Sequence, residues 1–412
     1  MPTLIVFSHL RWDFVYQRPQ HILSRLAKHF DVCFVEEPVA TDGDPWVETS
    51  QAAPGVTLLR PHTPVAAPGF HDDQLPVLKL LLSNHLRDRK IDDCIAWFYT
   101  PMALPMLSLL SPRAVVYDCM DELSAFKHAP PQLRQRELAL MKVADLVFTG
   151  GPSLYEAKRR LHPRVVCLPS AVDTAHYAPG RAAAQADAVT QARRIHDGIG
   201  RPRLGFFGVI DERLDIDLVA AIADAEASWQ VVMVGPVVKI DPTALPRRAN
   251  IHWLGQQPYD VLPQLVADWD VCLLPFALNE STRYISPTKT LEYMAAHKPV
   301  VSTAVHDVVA MYGDVVGIGH GPQGFVDRCR AALAESAAQR GQRIERMNAV
   351  VAEHTWDRAV EQVRAALEQV LAAAPHAGEI GASHAPPGAQ RPASGNLLLA
   401  PPQPAPTSIK AA

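Results

Sequence analysis

In the stretch Asn279-Glu-Ser-Thr-Arg-Tyr-Ile-Ser-Pro-Thr-Lys-Thr-Leu-Glu-Tyr-Met-Ala-Ala-His-Lys-Pro-Val-Val-Ser-Thr, Ser286 followed by Pro287 reads as a helix start. A hydroxyl N-cap precedes a proline at the first helical position, where the missing N–H is no loss. Unpaired N–H groups and the positive end of the helix dipole favour an anion there, with Ser286 and Thr288 at its border. Lys289 falls in the first turn, where a cation opposes the dipole unless an anionic ligand offsets it. Glu292 lies three residues on and shares its face. A lysine beside a diphosphate, with a carboxylate one turn deeper to accept both ribose hydroxyls, suits a nucleoside diphosphate. The same spacing also describes a surface helical pair worth about 0.2–0.5 kcal/mol, and spacing alone does not decide between them.

Three further segments follow apolar runs. In Gly205-Phe-Phe-Gly-Val-Ile-Asp-Glu-Arg, Gly208 lets backbone approach a phosphate and Arg213 is the available cation; a plain glycine turn with an exposed arginine is the alternative. Ser8-His-Leu-Arg-Trp-Asp-Phe-Val-Tyr-Gln-Arg-Pro gathers His9, Arg11, Trp12 and Arg18 in one loop, and Pro19 sets a helix start with Arg18 just before it. In Tyr117-Asp-Cys-Met-Asp-Glu, Asp118 and Asp121 are candidates to orient an acceptor hydroxyl or take its proton, with helix capping equally open. With them, His9 completes the candidate catalytic set.

Such loops need elements to hold them. Short continuous apolar runs, among them Thr3–Ser8, Val32–Glu36, Cys94–Phe98, Ala114–Tyr117 and Leu146–Thr149, alternate with amphipathic stretches. That is the pattern of an α/β fold with a parallel sheet covered on both faces. The alternation restarts at Arg203, after an Ala-rich polar stretch with no strand pattern. The expected organisation is a first Rossmann-like domain over 1–177, a linker over 178–203 and a second such domain over 204–350, followed by a helix over 351–372. The Pro- and Ala-rich tail, 373–412, is expected to be disordered. Two doubly wound units in tandem put the carboxyl ends of both sheets across a cleft, where ligands of open parallel sheets bind.

A length of 412 residues fits two domains, and the formal net charge of −4 gives no basic excess for nucleic acid. The six cysteines form no C-x-x-C pair, and the first residues lack a charged leader region. A cytoplasmic protein without a metal centre is expected. The run Leu75-Pro-Val-Leu-Lys-Leu-Leu-Leu-Ser-Asn-His-Leu-Arg-Asp-Arg-Lys is apolar, then basic; it reads as an ordinary packed helix, with weak docking at the inner face of a membrane as the other reading.

The segment Lys289 to Val301 resembles the donor-binding region of the GT-B glycosyltransferases related to glycosyl transferase group 1, the GT4-like set. Leu254-Gly-Gln-Gln-Pro-Tyr, Asp270-Val-Cys-Leu-Leu-Pro, Leu168-Pro-Ser-Ala-Val-Asp-Thr-Ala-His-Tyr and His354-Thr-Trp-Asp are similar to other parts of the same family, in order, over about residues 1 to 370. The Trp12 to Gln20 stretch resembles the opening of a bacterial subset associated with cell-surface polysaccharides. The resemblance implies that 1–177 is a Rossmann-like acceptor domain, 204–350 a nucleotide-sugar donor domain and 351–372 a helix that returns to the first domain at His354-Thr-Trp-Asp. It also implies a nucleotide-sugar as co-substrate with no other cofactor, and transfer to a saccharide or lipid-linked acceptor with retention. One departure stands out. The family pairs Glu292 with a second glutamate eight residues earlier that approaches the transferred sugar, and here that position is Tyr284. A non-hydrolysing nucleotide-sugar epimerase, or a GT-B scaffold without turnover, are the alternatives. No G-x-G-x-x-G follows the first strand, so a dinucleotide-dependent dehydrogenase is disfavoured.

Overall fold

Strand β1 (Thr3–Ser8) sends alternate side chains to opposite faces, and both faces are buried. Leu4 and Val6 join a core with Ile22, Leu26 and Trp97, whereas Ile5 and Phe7 join another with Leu78, Leu82 and Met141. Burial on both sides explains why these strands read as unbroken apolar runs. In the computed structural model, which describes residues 2–180 and 186–373 as one compact unit, β1 is central to a nine-stranded sheet. Its other strands are β2 (Asp31–Glu36), β3 (Val39–Ala40), β4 (Trp46–Ala53), β5 (Val56–Thr63), β6 (Cys94–Phe98), β7 (Val115–Cys119), β8 (Leu146–Thr149) and β9 (Val165–Cys167). The order is β3-β5-β2-β1-β6-β7-β8-β9, parallel throughout, with β4 antiparallel on β5.

The second sheet contains β10 (Arg203–Phe207), β11 (Gln230–Val234), β12 (Ile251–Trp253), β13 (Val271–Leu274), β14 (Val300–Thr303) and β15 (Gly317–Gly319). Its order, β12-β11-β10-β13-β14-β15, is that of a doubly wound Rossmann sheet. In each sheet the order reverses beside the first strand of that half, between β1 and β6 and between β10 and β13. The loops after β1 and β10 therefore open at the crevices where such sheets take ligands.

Three features differ from the sequence expectations. The stretch expected as a linker holds the helix Ala186–Ile195, whose Ala188 and Ala192 pack into the second core. Small alanines permit close packing without leaving an apolar stripe that composition reveals. The hairpin β4–β5 has no counterpart among the expected strands, because exposed β4 carries polar residues on an edge. The motif helix runs Lys289–Ala295 with Thr288 at its N-cap position, two residues later than Ser286 implies. The last helix, Trp356–Ala373, packs on the first half: Trp356 stacks on His21 at 4.6 Å, and Val363 and Leu367 enter the first core.

All six cysteines are free. Among the described residues no helix is long and apolar enough to cross a membrane. Apart from its first residue, the expected tail 373–412 lies outside the described residues.

Candidate active site

Between the halves lies a cleft of about 550 Å3, lined from both of them. Its floor on the second half is the loop after β10. Gly208 has φ of +143°, and a Cβ built there would lie 2.5 Å from Lys289 Cε and 2.8 Å from Nζ. Gly235, at φ +144°, lies against the Gly208 carbonyl. Only glycine lets the lysine and two backbone loops share this space. The Lys289 ammonium also sits over the rings of Phe206 and Phe276, at 5.7 and 5.9 Å. From the next turn of the same element, Tyr293 accepts the Phe207 N–H at 3.0 Å, which ties the motif helix to the end of β10.

Burial lowers the Lys289 ammonium to about 8; Glu292 opposes that shift and Arg213 adds to it. The Glu292 carboxyl, buried beside Tyr177, is pushed up to about 7 by desolvation, against Lys289 and the Tyr177 hydroxyl. A half-buried cation and a buried carboxyl in one cleft, each held away from its ordinary value, make this a candidate functional site. Arg213 is oriented by buried Asp211, with Nε–Oδ1 at 2.9 Å and Nη2–Oδ2 at 2.7 Å. Its guanidinium lies 5.4 Å from the Phe126 ring of the first half, and Lys239 Nζ lies 5.1 Å from the same ring. Ser286 and Thr288 line the cleft and bond to the first half through Ser170: Ser170 Oγ donates to the Ser286 carbonyl and Thr288 Oγ1 to Ser170 Oγ, both at 3.1 Å.

From the first half, Arg18, Trp12 and Asp121 line the cleft. Burial raises the Asp121 carboxyl, opposed by Arg213, Arg18 and Lys289. It is thus the one candidate catalytic group that faces the cations of the donor loop. Asp118 does not reach the cleft. It is 0% exposed and held by Arg18, with Nη2–Oδ1 at 2.8 Å and Nε within 3.2 Å of both oxygens. The third arm of Arg18 donates to the Leu168 carbonyl at 2.6 Å. With both oxygens occupied, Asp118 positions Arg18 rather than an acceptor. Arg11 is likewise turned away: it binds Glu36 at 3.0 Å and the carbonyls of Glu37 and Pro38. His9 is half-buried and not a lining residue; burial, then Lys239, lowers its imidazole to about 4, so it is neutral at pH 7. Trp12 lines the rim but mainly packs edge-on to Phe34, at 5.1 Å.

Several lining residues carried no signal in the sequence. Tyr16 stacks on Tyr259 at 4.9 Å, Tyr259 on His176 at 4.1 Å, and Gln256 Nε2 donates to the Phe14 carbonyl at 3.0 Å. These contacts bridge the halves over one end of the cleft, and only folding brings residue 16 beside residue 259. Tyr177 lies in a quoted turn, but nothing in its spacing pointed to Glu292. Tyr284 does not line the cleft; it packs against the core of the first sheet, with Arg283 over its ring. Among the described residues no group of three or more His, Cys, Asp or Glu is placed to hold a metal ion.

One consequence is local. Gly208→Ala is expected to lower stability by roughly 1–3 kcal/mol, since an L residue is strained at that φ and its Cβ meets the Lys289 side chain. A melting curve reads it, and an unchanged Tm would contradict this packing.

Residues 201–335 match the family model of the glycosyl transferases group 1. A relative in Bacillus subtilis, described as a teichuronic acid biosynthesis glycosyltransferase (TuaH), is 25% identical over 263 residues, 59% of this chain. The match spans 64% of that relative's own length. Among solved structures, sucrose-phosphate synthase from Thermosynechococcus elongatus superposes with a TM-score of 0.67 at 16% identity, covering 90% of this chain and 100% of that one. Anabaena HepE in complex with UDP and glucose gives 0.66 at 13% identity, with 90% and 100% coverage. At these identities the two likenesses establish the fold. The match to the glycosyl transferases group 1 thus lies in the second half of the chain, and over both halves the chain has the GT-B fold.

Proposed function

We propose that this protein is a glycosyltransferase that moves a sugar from a nucleoside-diphosphate sugar to a saccharide or lipid-linked acceptor hydroxyl, in cell-surface polysaccharide synthesis. The observation that carries the reading is that Gly208, Arg213, Lys289 and Glu292 of the second half line one cleft together with Asp121 of the first, whose carboxyl interacts with both cations. Glu292 accepts the ribose hydroxyls, and Lys289 and Arg213 meet the diphosphate. As the bond from the anomeric carbon to the phosphate oxygen breaks, negative charge grows on the leaving group, and the two side-chain cations stabilise it without a divalent ion. Asp121 orients the acceptor hydroxyl and takes its proton, while the hydroxyl oxygen forms the new bond to the anomeric carbon. We further propose retention of configuration, on the family resemblance; the anomer of the first product, read by NMR, tests it.

The first experiment is a thermal-shift titration with UDP, GDP, ADP and NAD, followed by assay of nucleoside diphosphate released from the matching nucleotide-sugar with and without acceptors. A ligand at 100 times its Kd stabilises by about 2.7 kcal/mol. A shift with one nucleoside diphosphate, and release that depends on acceptor, supports the transferase. A shift with NAD alone overturns it; consumption of donor without acceptor favours the epimerase.

Two outcomes separate the roles. Asp121→Asn is expected to lower turnover about a hundredfold with affinity for the nucleoside diphosphate kept or raised, because the acceptor side loses its carboxylate and Arg213 and Lys289 lose a nearby negative charge. Affinity for the nucleoside diphosphate should pass through a maximum between pH 7 and 8. Below about 7 the Glu292 carboxyl protonates and no longer accepts both hydroxyls; above about 8 the Lys289 ammonium loses its charge. Glu292→Gln should flatten the acidic limb and leave the basic one, as isothermal titration at a series of pH values would reveal.

A further inference from the structure

The β4–β5 hairpin carries side chains that the nucleotide site does not use. Trp46 opens β4 directly opposite His62 of β5, and the two rings stack at 4.2 Å with 8° between their planes. Trp46 is nevertheless 49% exposed. Two residues along, Glu48 stands opposite Arg60. Its carboxylate accepts from His62 Nε2 at 3.1 Å and lies 3.5 Å from Arg60 Nη1. Arg60 is fixed in turn by fully buried Glu36, Nε to Oε2 at 2.7 Å. The polar groups beside the indole are therefore held in place by one another. An exposed aromatic plane bordered by positioned donors and acceptors suits a pyranose, whose C–H face packs on a ring while its hydroxyls bond at the rim.

The position of the hairpin matters as much as its chemistry. Strands β5, β2 and β1 are parallel neighbours, so their carboxyl ends share one edge of the sheet, the edge that faces the cleft. His62 lies near the carboxyl end of β5, and antiparallel β4 brings Trp46 to the same edge. Two strand spacings, roughly 10 Å, separate β5 from β1. Across that gap Arg60 Nη2 lies 3.4 Å from Asp13 Oδ2, and Asp13 lines the cleft. Asp13, Arg60, Glu48, His62 and Trp46 form a continuous track from the mouth of the cleft to the indole.

We propose that this track is an outer acceptor subsite, on which a saccharide chain lies with one pyranose stacked on Trp46 while its growing end enters the cleft. The proposal rests on the transferase reading and makes the acceptor an oligosaccharide chain rather than a single sugar. The test uses the full chain and its Trp46→Ala and Trp46→Phe variants on a printed glycan array carrying matched glycans of about one to eight rings. A UDP thermal shift on the same three proteins is the parallel measurement. Wild type is expected to bind the longer glycans in preference to the monosaccharides. Trp46→Ala should weaken that binding about tenfold, Trp46→Phe should retain most of it, and the UDP shift should be the same in all three. Equal glycan binding by Trp46→Ala, or no preference for chains in the wild type, overturns the subsite even where UDP binds. Absence of a shift with UDP, GDP and ADP alike counts against the donor reading instead, and the array still decides on Trp46.

Discussion

Replacing Lys289 with alanine is expected to lower turnover by about a hundred- to a thousandfold while leaving the empty protein at least as stable. The first half of that result follows from charge. Lys289 is a half-buried ammonium against Gly208 and the faces of Phe206 and Phe276, and in the proposed reaction it meets the leaving diphosphate from there. Removing one preorganised electrostatic contact from a growing anion typically costs about 2.7–4 kcal/mol of barrier. The second half follows from the same burial. The ammonium is lowered from 10.5 to about 8, so the unfolded chain binds more protons than the folded one between those values. By linkage, stability rises with pH across that window, and the penalty is present in full below about 8. Alanine removes the penalty together with the function. Lys289→Arg should not rescue activity, because a planar guanidinium needs room that the Gly208 backbone occupies. Steady-state release of nucleoside diphosphate and a ligand-free melting curve read the two halves; a fall in Tm with activity retained would refute both.

The second large effect is structural. Arg18→Ala should destabilise the fold by about 3–5 kcal/mol, because it strands the Asp118 carboxylate, 0% exposed, without its partner. In a protein of this size that corresponds to a drop in Tm of about 4 to 6 °C. Replacing both residues by apolar ones, Arg18→Met with Asp118→Leu, should recover much of the loss, since neither charge is then left buried. The same series decides what Asp118 does. A positioning carboxylate gives Asp118→Asn a lowered Tm and a moderate loss of activity that travels with it. A proton acceptor would give full stability and a collapse of kcat. The first pattern is expected, since Arg18 already occupies both oxygens.

How much of this was visible beforehand depended on the range of the interactions. The two doubly wound halves were legible because strands covered on both faces must be apolar without interruption, a property of consecutive residues. The donor motif was legible for a similar reason. Lys289 and Glu292 are one helical turn apart, so their shared face follows from helix geometry alone, and Gly208 stands directly after a strand. The return of the last helix was marked by His354-Thr-Trp-Asp, and Trp356 does stack on the first half.

Residue order by itself thus determined the architecture and the shared helical face of Lys289 and Glu292. Tertiary structure alone decided which of the remaining candidates reach the cleft. Asp118 and Asp121 are three residues apart and chemically alike, yet a guanidinium from residue 18 claims the first and leaves the second facing Lys289 and Arg213. Arg11 and Arg18 share one loop, yet only Arg18 lines the cleft. The bridge from Tyr16 to Tyr259, the burial of the 186–195 helix and the Trp46 track depend on pairs of residues far apart in the chain, or on polar edge strands without an apolar period. No local pattern encodes those contacts, because they form only when both sheets are in place.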